Sequence, residues 1–376
     1  MGALADEDQA VYRAWIRAGL DKIAPLRRTR VLAEAGRRDD PELWRELADL
    51  DVLGLAVPEA CGGSDAGGAA QAIFLVETGR SLLPAPYLST AFLAPWAIRF
   101  AGAQSSCATL LSRIAQGRAR AALAVNKVGS TSWPVATRDG EAWRLTGHLP
   151  VVLEGDAADW LVIAAKVEGD TAVFLVDAHD SAVNVERLRS VDVTRPVAAI
   201  TVSSAPAQMV AGGDAGASVV AELPDLVRLA LAADAVGGAQ ALLDMSVEHA
   251  KTRVQFAQPI GQFQAIKHRC ADLFVAVQAA GAAVEAAFGE LEQLSRPRAT
   301  TVSVASVCAQ EAYWQAVRTA MQIHGGLALT WEHNVHLFLK RATGSAHILG
   351  NPDRELARLT DAVLADGYNV VREILG

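Results

Sequence analysis

The stretch that decides the fold runs from Arg253 to Phe274: Arg-Val-Gln-Phe-Ala-Gln-Pro-Ile-Gly-Gln-Phe-Gln-Ala-Ile-Lys-His-Arg-Cys-Ala-Asp-Leu-Phe. An apolar-periodic segment runs into Arg253, Pro259 and Gly261 interrupt it, and a second helical periodicity begins near Phe263. The spacing predicts helix, tight loop, helix. The loop carries one permanent cation, the amides of Gln255, Gln258, Gln262 and Gln264, and the rings of Phe256 and Phe263. A guanidinium grips phosphate bidentately, and carboxamides donate and accept toward ribose or a heterocycle. The same residues would equally make a polar corner between helices.

A second stretch sharpens the choice: Gln322-Ile323-His324-Gly325-Gly326-Leu327-Ala328-Leu329-Thr330-Trp331-Glu332-His333. An apolar helix is predicted from near Ala309 to the glycine pair, where φ > 0 is available and a pyrophosphate or backbone can come close. Thr330 reads as the N-cap of the next helix, with Glu332 and His333 in its first turn. Together the two stretches resemble the acyl-CoA dehydrogenase family, whose C-terminal helices carry Arg-x-x-Phe-Gly-x-x-Ile-x-x-x-Gln and then Gln-x-x-Gly-Gly-x-Gly-Tyr-Thr-x-Glu. Arg253, Phe256, Ile260 and Gln264 fit the first pattern, and Gln322, Gly325, Gly326, Thr330 and Glu332 fit the second; Ala257, Ala328 and Leu329 depart. The resemblance implies that Arg253, Gln255, Phe256, Gln264, Gln322, Gly325 and Gly326 contact the adenosine-diphosphate part of FAD.

The remaining chain reads as three segments. From Asp6 to about Gly117 the periodicity is helical, with breaks at Asp39-Asp40-Pro41, Val57-Pro58 and Leu83 to Pro86. Asp40 is the expected N-cap of a helix with Pro41 at its first position, and Pro58-Glu59-Ala60-Cys61-Gly62-Gly63 a closing glycine turn that resembles a family loop. Between Ala121 and Ser204 the period becomes two, with strands expected over 143–146, 160–165, 172–176 and 197–202 and a hairpin turn at Asp139-Gly140. Pro206 to Ala217 reads as an exposed connection back into helix. The resemblance then implies an α+β organisation: an N-terminal helical domain (1–120), a small β-barrel or sandwich (121–220), and a C-terminal four-helix bundle (221–376) that shares FAD and forms the oligomer core.

Composition narrows the function classes. With 376 residues, 51% hydrophobic and 20% charged, the chain has material for a large buried core. Thirty-four basic against 42 acidic residues gives −8, with no basic run longer than Lys-Arg or Arg-Arg, which argues against nucleic acid or an anionic membrane as partner. No basic segment precedes an apolar run at the N-terminus, so a cytoplasmic protein is expected. Cys61, Cys107, Cys270 and Cys308 lack metal or redox spacing and read as reduced, mostly buried thiols; no metal site is expected.

The β segment departs from the family. Its Thr-Glu-Pro and Gly-Ser-Asp loop corresponds here to Val125-Asn126-Lys127 and Gly129-Ser130-Thr131. Its Asn-Gly-x-Lys-x-Trp-Ile-Thr-Asn strand corresponds to Thr146 through Glu154, so Val151 replaces the ring-stacking Trp and Leu153 the hydroxyl that serves the isoalloxazine. α,β-Dehydrogenation of an acyl thioester needs a carboxylate base. The two positions that supply one in the family hold Val227 and Leu349, and neither alkyl group accepts a proton. Glu332 and Asp225, the second a predicted N-cap, remain as nearby carboxylates.

The resemblance is therefore to the base-lacking subunit of two-gene α2β2 acyl-CoA dehydrogenases. It implies FAD shared across a subunit interface, a homologous catalytic partner, an acyl-CoA substrate of fatty or steroid side-chain type, and electron-transfer flavoprotein as acceptor. A homo-oligomeric dehydrogenase with a displaced base, and a non-enzymatic acyl-CoA-binding scaffold, stay open as alternatives.

Overall fold

A computed structural model of the chain describes residues 6–37, 40–125, 133–291, 299–349 and 352–365. The architecture is α+β, in the order helices, β-sheet, helices. The helices are α1 (Asp6–Ile23), α2 (Leu26–Glu34), α3 (Pro41–Asp49), α4 (Gly68–Ser81), α5 (Ala94–Phe100), α6 (Ala108–Ala115), α7 (Gly213–Thr252), α8 (Gln264–Leu291), α9 (Ala299–His324), α10 (Val335–Leu349) and α11 (Pro352–Ala365). Strands β1 (Ala121–Ala124), β2 (Val135–Asp139), β3 (Ala142–Leu153), β4 (Trp160–Val167), β5 (Asp170–Asp177), β6 (Val183–Arg187) and β7 (Val197–Ala211) form one sheet; β8 (Val254–Gln255) and β9 (Gln258–Pro259) form a separate hairpin.

The chain divides into two compact units. One holds residues 32–67 and 84–230. Here Asp40 caps α3 as the sequence predicts, accepting from the amides of Glu42 and Leu43 at 3.2 Å, with Pro41 in the first turn. The helix buries Leu43, Trp44 and Leu47, and Trp44 Nε1 donates to the Gly117 carbonyl at 2.9 Å. The predicted glycine turn forms too: Glu59–Cys61 is a 3-10 turn ended by Gly62 at φ +83°.

The sheet of this unit closes on itself. β2 pairs antiparallel with β3, β3 with β7, β7 with β5 and β5 with β4, and Val135 of β2 bridges back to Lys166 of β4. Closure leaves few unpaired edges. Inside lie Leu145, Leu149, Ile163, Phe174, Ile200 and Val202, with Trp143 edge-on to Phe174 at 5.7 Å between ring centroids. Alternating inward residues, rather than local propensity alone, explain why these strands outrun their predicted lengths.

Pro206 to Ala217 corrects the sequence reading. Instead of an exposed link, Pro206 to Ala211 continue β7, pairing Arg144 with Pro206, Trp143 with Ala207 and Phe174 with Met209. Two flanking strands supply hydrogen bonds that composition could not reveal, and α7 starts directly at Gly213. A second correction concerns Asp225, which lies inside α7 and is not an N-cap. Pro224 removes one backbone bond, yet burial of Leu223, Leu226 and Leu229 carries the helix through.

The second unit holds residues 2–31, 68–83 and 231–376. α4 and α7 touch backbone to backbone: a Cβ on Gly237 would stand 1.8 Å from the Val76 carbonyl oxygen, and one on Gly79 2.1 Å from that of Asp234. Only glycine fits such an approach. Buried Glu77 accepts from Arg17 at 2.8 Å and Arg80 at 2.6 Å, while Asp234 pairs with Arg341 at 2.9 Å in full burial. α9 begins at Ala299, about three turns before the predicted start. Among the described residues α7 and α8 are long and apolar enough to cross a membrane by length and composition, although 89% of the apolar stretch of α7 is buried in protein. α8 instead leaves Phe274 and Val275 exposed.

Candidate cofactor corner

The loop after α7 is a miniature hairpin. The amide of Arg253 donates to His249 O at 2.8 Å, ending the helix, and Ile260 N donates to Arg253 O at 2.8 Å. Between them β8 and β9 pair Val254 with Pro259 and Gln255 with Gln258. The tip, Phe256 and Ala257, takes φ of +52° and +61°. Left-handed backbone costs a non-glycine residue about 1 kcal/mol or more, so the tip is held in an uphill shape. Phe256 is 88% exposed and meets Phe263 edge-on at 6.1 Å. Arg253, Gln264 and Gln322 are exposed, and among the described residues the Arg253 guanidinium makes no ion pair. Gln255 Nε2 donates to Val254 O at 2.8 Å.

The second stretch ends α9 in a 3-10 turn, Gly325–Leu329. Gly325 has φ +60°, and a Cβ on either Gly325 or Gly326 would meet nothing within 4 Å. Among the described residues Gly326 thus has no steric neighbour, and no left-handed backbone explains it. Thr330 is not an N-cap: its hydroxyl donates to Leu327 O at 2.9 Å, closing the 3-10 turn, and α10 starts only at Val335. Glu332 accordingly lies before the helix, not in its first turn. The Val335 amide instead donates to His333 Nδ1 at 3.4 Å.

Three imidazoles join the two stretches, and the motif reading missed them. His249, one turn before Arg253, lies 4.4 Å from His324, which lies 4.5 Å from His333. His324 is 6% exposed; its Nδ1–H donates to Ala320 O at 2.9 Å, and its buried Nε2 has no hydrogen-bond partner among the described residues. Burial lowers the pKa of His324 and His249, the second also through His324 and Arg253. His333 falls to about 4, through burial first and then His324, His249, Arg30 and His336. Around neutrality the stack is uncharged. The signal available to sequence was position, since each ring stands within a turn of a quoted motif. Among the described residues no group of three His, Cys, Asp or Glu could hold a metal ion.

The β unit differs. Leu153, where the family's hydroxyl would stand, is 5% exposed, and Val151 is exposed. Glu154 takes φ +53° and turns its carboxylate inward: Oε2 accepts from Ser89 N at 2.8 Å, and Ser89 Oγ donates to Leu153 O at 2.9 Å. Ser89 lies in the first turn of its helix, where the backbone amides have no partner within the helix and a side-chain acceptor can cap them. The loop Asn126-Lys127 and Gly129-Ser130-Thr131 lies outside the described residues. Val227 sits within α7 and Leu349 ends α10. Asp225 is buried in an ion pair with Arg228 at 2.7 Å, and Glu332 is exposed. All four cysteines are free, Cys61 and Cys107 buried and Cys270 and Cys308 half-buried.

An exposed guanidinium, three amides and two open glycines form a donor set suited to the phosphate and sugar end of a dinucleotide arriving from outside the chain. In the strand 146–154 the side chains of Val151 and Leu153 carry no hydrogen-bond donor for a flavin ring. Residues 6–118 match the acyl-CoA dehydrogenase N-terminal domain and residues 214–364 the acyl-CoA dehydrogenase C-terminal domain. The acyl-CoA dehydrogenase IpdE2 of Mycolicibacterium smegmatis is 33% identical over 354 residues, 94% of this chain and 98% of that protein. The crystal structure of the ChsE4-ChsE5 complex from Mycobacterium tuberculosis superposes with TM-score 0.85 at 28% identity, covering 97% of this chain and 99% of that one. A variant of the Tcur3481-Tcur3483 steroid ACAD gives 0.86 at 28% identity, covering 96% and 98%.

Proposed function

Because the chain belongs to the acyl-CoA dehydrogenase family, we propose that it serves as the base-lacking subunit of a two-gene enzyme, lending its corner to FAD whose ring lies in a catalytic partner. Bound FAD supplies the two-electron acceptor for α,β-dehydrogenation of an acyl-CoA thioester. In this reading Arg253 neutralises the diphosphate, Gln255, Gln264 and Gln322 hold sugar and base, Phe256 gives an apolar face, and Gly325 and Gly326 let the ligand approach the backbone. Val227 and Leu349 move no proton, so the partner brings the base. The observation that carries the reading is Gly326: among the described residues nothing lies within 4 Å of its vacant Cβ position, and the exposed Arg253 makes no ion pair among them.

The exposed Phe274 and Val275 of α8 fit an oligomer contact among C-terminal helices, and we assign 221–376 that role, with 1–120 and 121–220 as the helical and β domains. The substrate class is a bulky acyl thioester of steroid side-chain type; the steroid ACAD relative supports it. Electron-transfer flavoprotein is the proposed acceptor. Co-expression with a homologous dehydrogenase chain tests the assignment. A heterotetramer with one FAD per pair of chains is expected, and a monomer of this chain that keeps FAD alone would overturn it.

A further inference from the structure

We propose that the His249–His324–His333 stack is the positioning element that keeps the two cofactor-facing stretches together, and that only the uncharged stack holds FAD. The inference rests on the cofactor-corner reading above. His249 lies in the last turn of α7, one turn before Arg253, His324 ends α9 directly before the glycine pair, and His333 belongs to the turn before α10. Ring separations of 4.4 and 4.5 Å make the stack a ring-to-ring link between these segments. A buried Nε2 without a partner is a standing cost to the fold, which a carbon ring in that place would avoid.

The surroundings offer little to welcome a proton. Arg30 from α2 faces the stack and donates to Glu332 O at 3.4 Å and Asn334 Oδ1 at 3.5 Å; Arg253 stands beyond His249, and His336 on α10 behind His333. Glu248, the carboxylate next to His249 in the chain, is already paired with Lys251 at 2.7 Å. A proton on His324 needs water, and water reaches its buried nitrogen only if the rings part. All three histidines titrate below their usual range when folded, so the neutral form is the one the fold selects. The link is therefore intact above the ordinary histidine pKa and is lost as pH falls from about 6.5 toward the lowered values. Arg253 then loses its fixed distance from Gly325 and Gly326.

The test uses the co-purified FAD-bearing complex, with FAD as the probe and retained flavin read after gel filtration from about pH 8 to about pH 5. His324→Ala should weaken FAD about tenfold at the alkaline end, and His324→Phe, which keeps a ring and cannot be protonated, should restore it to within about twofold. The wild-type complex should lose flavin in acid, and His324→Phe should flatten that loss. His333→Phe gives a second, half-buried site for the same measurement should position 324 tolerate no change. Wild-type acid profiles in both Phe variants would overturn the proposal, as would undiminished FAD in His324→Ala. Arg253→Ala, run alongside, separates the failures: if it alone sheds FAD, the corner reading stands and the stack proposal falls; if it too retains FAD, both fall.

Discussion

The corner around Arg253 and the strand end around Glu154 carry comparable polar groups and use them in opposite ways. At the corner a guanidinium, three amides and two glycines face outward, and Phe256, edge-on to Phe263, stands 88% exposed on a left-handed backbone. At Glu154 the carboxylate, also on a left-handed backbone, is 4% exposed and turned into its own unit to hold Ser89. Uphill geometry occurs at both, but only one leaves binding groups unused. A stretch whose strain serves its own core is finished as it stands, whereas one whose strain presents donors to the outside fits the cofactor role proposed above.

The largest effect should come from removing the cation. Arg253→Ala should cost a charge-assisted contact of about 1.5–3 kcal/mol, about ten- to a hundredfold in FAD affinity of the complex, with stability of the chain little changed. Arg253→Lys should recover only part, because an ammonium keeps charge without the planar fork. Flavin occupancy of the purified complex checks both. Glu154→Ala should show the reverse pattern: denaturant unfolding should report a loss of about 1–3 kcal/mol, since Ser89 N is left buried and unpaired, and flavin content should hold. If that variant sheds FAD without losing stability, the two regions are not opposites after all.

Ala257→Gly sharpens the contrast on a smaller scale. Glycine accepts φ +61° without a Cβ penalty, so the turn should gain about 1 kcal/mol, visible as a raised unfolding midpoint. Val227→Glu and Leu349→Glu should do nothing visible: a thioester panel with an artificial electron acceptor should find no dehydrogenation in the isolated chain. Turnover there would mean that the ring-side strand is competent despite Leu153 and Glu154.

Which parts could be read beforehand follows from how local their causes are. Asp40 before Pro41, and Gly140 after Asp139, act on neighbours a few residues away, and the α3 cap and the β2–β3 turn form as expected. The helix, tight loop and helix around Arg253 and the helix end at the glycine pair were legible because Pro259, Gly261 and Gly325-Gly326 act locally. β7 beyond Pro206, α7 through Pro224 and the true start of α10 depend on partners distant in sequence, which no window around those residues contains. The histidine stack was hidden for the same reason: three unremarkable imidazoles acquire a role only when helix ends converge.

The contact between Gly79 of α4 and Asp234 of α7 has a consequence for how the protein is born. Both faces of that contact exist only after some 150 further residues have been added, and at about 5–20 residues per second the nascent α4 waits roughly 8–30 seconds for its partner. Meanwhile Ile73, Phe74 and Leu75, fully buried in the finished unit, have of that unit only the segments before residue 84 to cover them. Synthesis rate and chaperone supply should therefore govern the yield of soluble chain more strongly than they would for a protein whose units are continuous in sequence.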